Sequence, residues 1–305
     1  MKHAPAGNPL INLIAKVACR LKTVSALKPV RKQRRIVNRL NDLTGRDWVK
    51  FTKSWFVHSP PRRDRAKIVH PAGFPETLVQ GFVEFFTKRG MWVLDPFLGT
   101  GSTLLAAMVV GRNGVGVEVN SKYAGIAKAR LKQAGVGGST RQIVVEGDSQ
   151  RLVELLDGFP LFDFCITSPP YWNQLVRASM RQRGRLEKGW DTVYSSDVRD
   201  IGNISDYHRF VEAQKLIFDQ VYRVVRPSGY LVVVTNNVFA DGRLWPLAFD
   251  TLVSLSDLWV PKDERIWLHD DKRLLPLGVY NAWVGNRCHH YCLVFRKEQS
   301  RLDSG

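Results

Sequence analysis

Thr167-Ser168-Pro169-Pro170-Tyr171-Trp172 is the stretch on which the reading of this chain turns. An apolar run, Leu161-Phe162-Asp163-Phe164-Cys165-Ile166, leads into it and has the composition of a buried strand. Two consecutive prolines cannot continue a sheet ladder, so the strand stops there and the chain turns out at its carboxyl end. Open α/β sheets bind their ligands at that end. A small hydroxyl, a rigid turn with free carbonyls and an exposed aromatic ring then face one spot. These are acceptors for an amino group beside a platform for a flat ring, which suits a nucleobase drawn from its stack. A plain Ser-Pro-Pro turn with a packing tyrosine fits the same residues, and the rest of the chain decides between them.

Upstream, Met91-Trp92-Val93-Leu94 is a short apolar strand. It runs straight into Asp95-Pro96-Phe97-Leu98-Gly99-Thr100-Gly101-Ser102-Thr103 and then a helix from Leu104 to Met108. Strand, glycine turn and helix make a cradle for a phosphate or a nucleoside. A dinucleotide fingerprint wants a third glycine where Leu104 stands, and a P-loop wants Gly-Lys-Ser/Thr, which is absent. What remains is a turn that brings backbone close to an uncharged ligand, or simply a tight strand-to-helix turn. The next strand, Gly114 to Val119, carries Glu118, 17 positions after Gly101, near the spacing at which a ribose diol is gripped. A helix over Tyr123–Gln133 and a strand over Gln142–Glu146 follow. Gly147-Asp148-Ser149 then opens a helix, with Asp148 either a plain N-cap or an acceptor for an adenine amine.

The chain of 305 residues suffices for one large α/β domain with an appendage, and its net charge of +17 points to a polyanionic partner. Residues 1–50 hold twelve Lys or Arg against Asp42 and Asp47 alone. Leu10, Leu13, Ile14, Val17 and Leu21 recur at helical spacing, so an amphipathic helical arm with a basic face is expected, with Arg34 and Arg35 along phosphates. A solvated helix without a partner and a transit peptide are the competing readings. Ser59-Pro60-Pro61-Arg62-Arg63 marks a linker, which divides the chain into an arm and linker at 1–58 and a domain at 59–298. After Trp172, residues 173–204 are arginine-rich and poor in apolar residues, with Arg177, Arg181, Arg183 and Arg185 at their centre. A connection this long in a compact domain points to function, and it is the candidate base-reading loop, with 240–285 as a second contributor.

Phe210 to Val224 then forms a long amphipathic helix, stopped by Pro227-Ser228-Gly229. A strand over Tyr230–Thr235, a helix near 246–255 and strands near 264–268 and 289–296 complete a sheet. Cys288-His289-His290-Tyr291-Cys292 is read as the start of that closing strand and not as a metal site. The four cysteines form no disulfide framework and fit a reducing, cytosolic setting, and no apolar run reaches the ~20 residues of a membrane span.

In order and wording these segments resemble the AdoMet-dependent DNA amino-methyltransferases, over roughly residues 47–297. Asp95 to Gly101 resembles that family's cofactor loop, and Thr167 to Tyr171 its catalytic motif in the serine form. His70-Pro71-Ala72-Gly73-Phe74-Pro75, Arg223 to Tyr230 and His290 to Phe295 resemble further landmarks in the family's order. The resemblance implies a Rossmann-like class I methyltransferase fold, with a mostly parallel seven-stranded sheet between helices and the basic arm outside it. It implies AdoMet held by His70, Asp95, Phe97, Gly99, Thr100, Gly101, Glu118 and Asp148, and Ser168, Pro169, Pro170 and Tyr171 at the reacting amine. It implies double-stranded DNA as partner, and the charge pattern puts Arg34, Arg35, Arg177, Arg181, Arg183 and Arg185 forward as its contacts. No metal and no membrane are implied, and the setting is cytoplasmic in a bacterium, an archaeon or a phage-infected cell, with or without a companion restriction endonuclease.

In the family the serine form goes mostly with N4 of cytosine and the aspartate form with N6 of adenine, so cytosine is the expected target. N6-adenine methylation, RNA amino-methylation and an inactive nucleic-acid-binding relative are the alternatives. A ring-carbon methyltransferase needs a Pro-Cys nucleophile, and none of the four cysteines follows a proline.

Overall fold

The computed structural model describes residues 37–59, 75–135, 139–172, 197–270 and 272–298. Arg34, Arg35, His70, Arg177, Arg181, Arg183 and Arg185 lie outside the described residues. In chain order the elements are α1 (Gly45–Phe51), β1 (Trp55–Val57), α2 (Glu76–Phe86), β2 (Trp92–Asp95), α3 (Ser102–Val109), β3 (Asn113–Glu118), α4 (Ser121–Gln133) and β4 (Gln142–Glu146). They continue with α5 (Leu152–Leu155), β5 (Phe162–Thr167), α6 (Tyr207–Val224), β6 (Val225–Thr235), β7 (Val238–Ala240), β8 (Arg243–Trp245), α7 (Leu247–Leu255), β9 (Val260–Leu268) and β10 (His289–Arg296).

The main sheet has the order β1-β9-β10-β6-β5-β2-β3-β4. All its pairs are parallel except those of β10, which runs antiparallel to β6 and β9. The α/β architecture expected from the sequence is present, but with eight strands in place of seven. The extra one is β1, whose Trp55 pairs with Ile266 at the sheet edge. Three residues are too short for an alternation to be read from sequence. A separate hairpin, β7 with β8, was not anticipated either.

Alternation along the central strands divides the core in two. Phe164 and Ile166 of β5, Val232 and Val234 of β6 and Cys292 and Val294 of β10 face α2 and α3. Cys165, Leu231, Val233, Leu293 and Phe295 face α5, α6 and α7 on the other side, with Trp259 filling the space after α7. Fully burying a side chain of this size contributes about 1.5–3 kcal/mol, so these two layers supply most of the driving force for the fold.

A compact unit begins at Leu40. Residues 40–58, expected in the arm and linker, therefore belong with the sheet. Leu40, Leu43, Trp48, Phe51 and Phe56 pack on the core beside α2, Phe51 stacks on Phe85 at 4.1 Å, and Asn41 Nδ2 donates to the Phe85 carbonyl at 2.6 Å. The basic residues dominate the composition here, but the apolar ones decide the burial. Pro227-Ser228-Gly229 also differs from expectation. It does not separate α6 from a later strand but bulges from β6, with Phe162 and Phe164 opposite Val225 and Tyr230, and Ser228 at φ +65°.

From β2 the chain builds outward through β3 and β4, then returns to the other side of β2 for β5 and β6. The order reverses between β2 and β5, and such a switch point leaves a crevice at the carboxyl ends of the strands. Asp95 ends β2 and Thr167 ends β5, so both sequence motifs open at this crevice. Among the described residues no helix is long and apolar enough to cross a membrane.

Candidate active site

The glycine turn is held from beneath by Asp95. Fully buried, it accepts hydrogen bonds from the Phe97 amide (3.0 Å), the Thr167 hydroxyl (2.6 Å) and the Thr103 hydroxyl. These three donors tie the end of β2 to the start of α3 and to the end of β5. Burial pushes the Asp95 carboxyl up to about 6 against the lowering effect of those bonds. Gly101 caps α3 at φ +89°, and a Cβ there would meet Ala127 Cβ at 3.0 Å, so the turn and the approach of α4 both require glycine. Arg130 of α4 donates to the Thr100 carbonyl (2.6 Å) and pairs with Glu76 of α2 (2.7 Å), and the Ser102 hydroxyl reaches the same carboxylate at 3.2 Å. The turn is thus fixed by three helices as well as by its strand.

Glu118, at the end of β3, accepts from the Gly99 amide at 2.7 Å and from the Asn120 amide at 2.9 Å. It is 9% exposed, and burial pushes its carboxyl up to about 7. Each of its oxygens keeps a second lone pair for a ligand hydroxyl. Asp148 is the N-cap of a 3-10 turn, accepting from the Gln150 amide at 2.9 Å, and it also lines the crevice. The capping role read from sequence is therefore compatible with a ligand contact.

One cleft of about 760 Å³, open to solvent, joins these parts. Phe97, Gly99, Thr100, Glu118 and Asp148 line it on the β2–β3 side, and Ser168 and Pro170 line it on the β5 side. Asp95 and Gly101 act behind that wall as supports. Sequence reasoning missed Tyr123, Ser149, Asp200 and Ile201, which also line the cleft, and it placed Arg199 in the base-reading loop. Asp200 had a local signal, since Asp200-Ile201-Gly202-Asn203 is an N-cap pattern and its carboxylate does accept from the Gly202 amide at 2.8 Å. Among the described residues the charged groups of the lining are Glu118, Asp148 and Asp200 against Arg199 alone, and Arg199 is paired with Asp197 at 2.6 Å. In a chain of net charge +17 this is an acidic cleft. It disfavours the phosphates of a dinucleotide and suits a ligand that brings hydroxyls and positive charge. These acceptors fit AdoMet, whose ribose diol and ammonium donate and whose sulfonium is positively charged.

At the end of β5, Ser168 Oγ lies 3.2 Å from Tyr171 Oη. Tyr171 is 8% exposed, where an exposed ring was expected. It packs in a cluster with Trp172, Ile201, Tyr207 and Phe210, and its ring stands 5.8 Å from that of His290. Burial holds its phenol well above the ordinary range, so the hydroxyl stays protonated. Trp172 is anchored by its indole N–H on the Ser205 carbonyl at 3.0 Å. Beyond Tyr171, His290 Nδ1 and His269 Nε2 are 2.6 Å apart, and the His290 ring stacks on Trp267. Burial, with His269, Lys272 and His289 adding to it, lowers His290 to about 3. Just past the end of neighbouring β6, Asn236 donates to the His289 carbonyl at 2.9 Å, while Asn236 Oδ1 and Thr235 Oγ1 are buried without a hydrogen-bond partner among the described residues. Among the described residues no group of His, Cys, Asp and Glu is arranged to hold a metal.

Comparison with known proteins bears on the glycine turn and Glu118. Residues 21–129 match the DNA methylase family N6_N4_Mtase. The chain is 37% identical over 62 residues to the type II methyltransferase M.MthZI of Methanothermobacter thermautotrophicus, covering 20% of this chain and 18% of that protein. It is 36% identical over 75 residues to the orphan methyltransferase M.BamHII of Bacillus amyloliquefaciens, covering 25% of this chain and 28% of that protein. The chain thus matches under a third of the length of these curated relatives. Among solved structures it is similar to TrmN from Thermus thermophilus, at 16% identity and a TM-score of 0.48, over 76% of this chain and 52% of that one. The chain is thus similar over residues 21–129, which hold the glycine turn, to the DNA methylase family N6_N4_Mtase, while the Ser-Pro-Pro-Tyr turn that meets it in the cleft lies outside that match.

Proposed function

We propose that this protein methylates the exocyclic N4 amine of a cytosine turned out of double-stranded DNA. The observation that carries this reading is the single cleft in which Glu118 and the glycine turn face Ser168 and Pro170. Glu118, Asp148 and Asp200 hold AdoMet, with Phe97, Gly99 and Thr100 against it and Asp95 and Gly101 keeping the turn in shape; His70 is proposed as a further contact. When bound, AdoMet supplies a methyl group on a sulfonium, already a good leaving group, so no nucleophilic side chain is needed.

The obstacle is the base, whose amine lone pair is conjugated into the ring. Ser168 Oγ and the Pro169 carbonyl accept the two amine hydrogens, which aims the lone pair outward and holds the nitrogen in place. Pro170 keeps the turn rigid. Tyr171, buried and protonated, orients the Ser168 hydroxyl through their 3.2 Å contact, and stacking of the base on its ring requires that ring to be uncovered. Serine favours cytosine because a neutral hydroxyl both accepts and donates, and so serves the amine and the adjacent ring nitrogen in turn. Arg34, Arg35, Arg177, Arg181, Arg183 and Arg185 are proposed to contact DNA, in keeping with the net charge of +17.

The test is mass spectrometry of nucleosides after incubating the purified chain with labelled AdoMet and either duplex DNA or RNA. N4-methylcytosine from DNA is expected. N6-methyladenine alone overturns the choice of base, label in RNA alone overturns the choice of substrate, and no label in either marks an inactive relative.

A further inference from the structure

Between β9 and β10 the chain leaves the sheet edge that carries Ser168. β9 and β6 both run antiparallel to β10, and β6 is parallel to β5, so Leu268 and Thr167 end their strands on the same side. The His269 amide donates to the Cys288 carbonyl at 2.7 Å and closes the base of this excursion, two residues before the His290 ring that faces Tyr171. Residues 269–288 carry Lys272, Arg273 and Arg287 against Asp270 and Asp271 at the start of the excursion.

The excursion is a built turn. Asn286 bridges the two arms, accepting from the Leu275 amide at 2.9 Å and donating to its carbonyl at 2.8 Å. The Gly278 carbonyl accepts from the amides of Asn281 and Ala282 at 3.0 and 2.9 Å. Gly278 lies at φ +66°, and a Cβ there would stand 2.3 Å from the Ala282 carbonyl oxygen, so the turn excludes any other residue. Two positions on, Tyr280 takes φ +65°, where a bulky side chain is strained. It is 103% exposed, and Trp283 is 94% exposed. Within the chain these two rings bury almost nothing, so the strain and the exposed aromatic surface stabilise nothing in the fold. Two flat rings at the tip of an internally braced turn that carries Lys272, Arg273 and Arg287, on the edge where a base must leave its stack, fit one kind of partner.

We propose that this turn is a stacking wedge for duplex DNA, in which Tyr280 or Trp283 enters the base stack and fills the gap left by the extruded base. The proposal rests on the DNA reading above. Extruding a base breaks stacking on both of its faces, and an aromatic side chain restores it to the neighbours whichever bases they are. Lys272, Arg273 and Arg287 hold the flanking phosphates.

The experiment compares the full chain with the double variants Tyr280→Ala/Trp283→Ala and Tyr280→Phe/Trp283→Phe. Each is given tritiated AdoMet and plasmid DNA from a methylation-deficient host, with AdoMet affinity measured alongside to establish that the variant is folded. Methyl transfer by the alanine pair is expected to fall about tenfold or more at unchanged AdoMet affinity, from the loss of base–aromatic stacking. The phenylalanine pair, which keeps the ring faces, is expected to stay within about twofold. An alanine pair as active as the parent overturns the wedge and leaves the methyltransferase reading standing. Equal loss in both pairs overturns it too, since a polar contact and not stacking would then be at work. A parent chain that labels no DNA overturns the reading on which the wedge rests.

Discussion

The two sides of the switch point are built to opposite rules. On the β2–β3 side the buried groups are carboxylates, and each oxygen of Asp95 and Glu118 has a donor in place. On the β5–β6–β10 side they are neutral. Two hydroxyls are paired at Ser168 and Tyr171, an imidazole is held uncharged at His290, and Thr235 Oγ1 and Asn236 Oδ1 have no partner among the described residues. A wall whose hydrogen bonds are already made keeps its shape whether or not a ligand is present. An unpaired buried polar atom costs about 1–3 kcal/mol, a demand that an incoming polar ring can meet. Under the proposed function, the difference separates a preorganised wall for the cofactor from a wall for the base that binding completes.

The sharpest way to test that separation is Ser168→Ala. It deletes the proposed contact with the reacting amine and nothing that touches the carboxylate side. Turnover is expected to fall about 10²–10³-fold, roughly 3–4 kcal/mol, with AdoMet affinity unchanged by calorimetry. Loss of both together would mean that the two walls are one unit.

Next in size is the pH dependence of stability, which has opposite signs on the two sides. Asp95 and Glu118 have folded values above their ordinary ones, at about 6 and 7. The folded state therefore keeps protons that the unfolded chain gives up. Their stabilising contribution is complete below about pH 4 and is lost as pH rises through 6 and 7. His290, lowered to about 3, contributes stability above about pH 6.5 that is lost as pH falls towards 3. Glu118→Ala should remove about 3 kcal/mol of the loss between pH 4.5 and 7, and His290→Phe should flatten the acid limb alone. Denaturant unfolding of the three proteins across pH 3–8 checks both slopes. A Glu118→Ala curve parallel to that of the parent would show that this carboxylate is solvated in the folded chain.

The smallest effect concerns the ligand itself. Glu118→Ala should weaken AdoMet binding by about 1–3 kcal/mol, roughly 5- to 150-fold, for hydrogen bonds lost at a buried polar ligand. Unchanged affinity in titration calorimetry would remove Glu118 from the cofactor wall and leave it only the task of holding the Gly99 amide.

Much of the carboxylate wall was determined by sequence alone, because its geometry is local. A strand running into Asp95, glycines at Gly99 and Gly101, and an acidic residue at a set distance constrain backbone within a few residues of themselves, whatever packs around them. The same holds for Ser168, whose turn is dictated by Pro169 and Pro170. Exposure is not local, and there the tertiary structure decided. Tyr171 was expected to be open, but Trp172, Tyr207 and Phe210 bury it, and His290, 119 positions away, faces its ring. Asp200 and Tyr123 enter the cleft because α4 and the approach to α6 converge on the switch point, which no spacing in the chain records. The segment from Leu40 to Phe56 joined the sheet because aromatic burial outweighs what a run of charges suggests, and burial is settled only when distant surfaces meet.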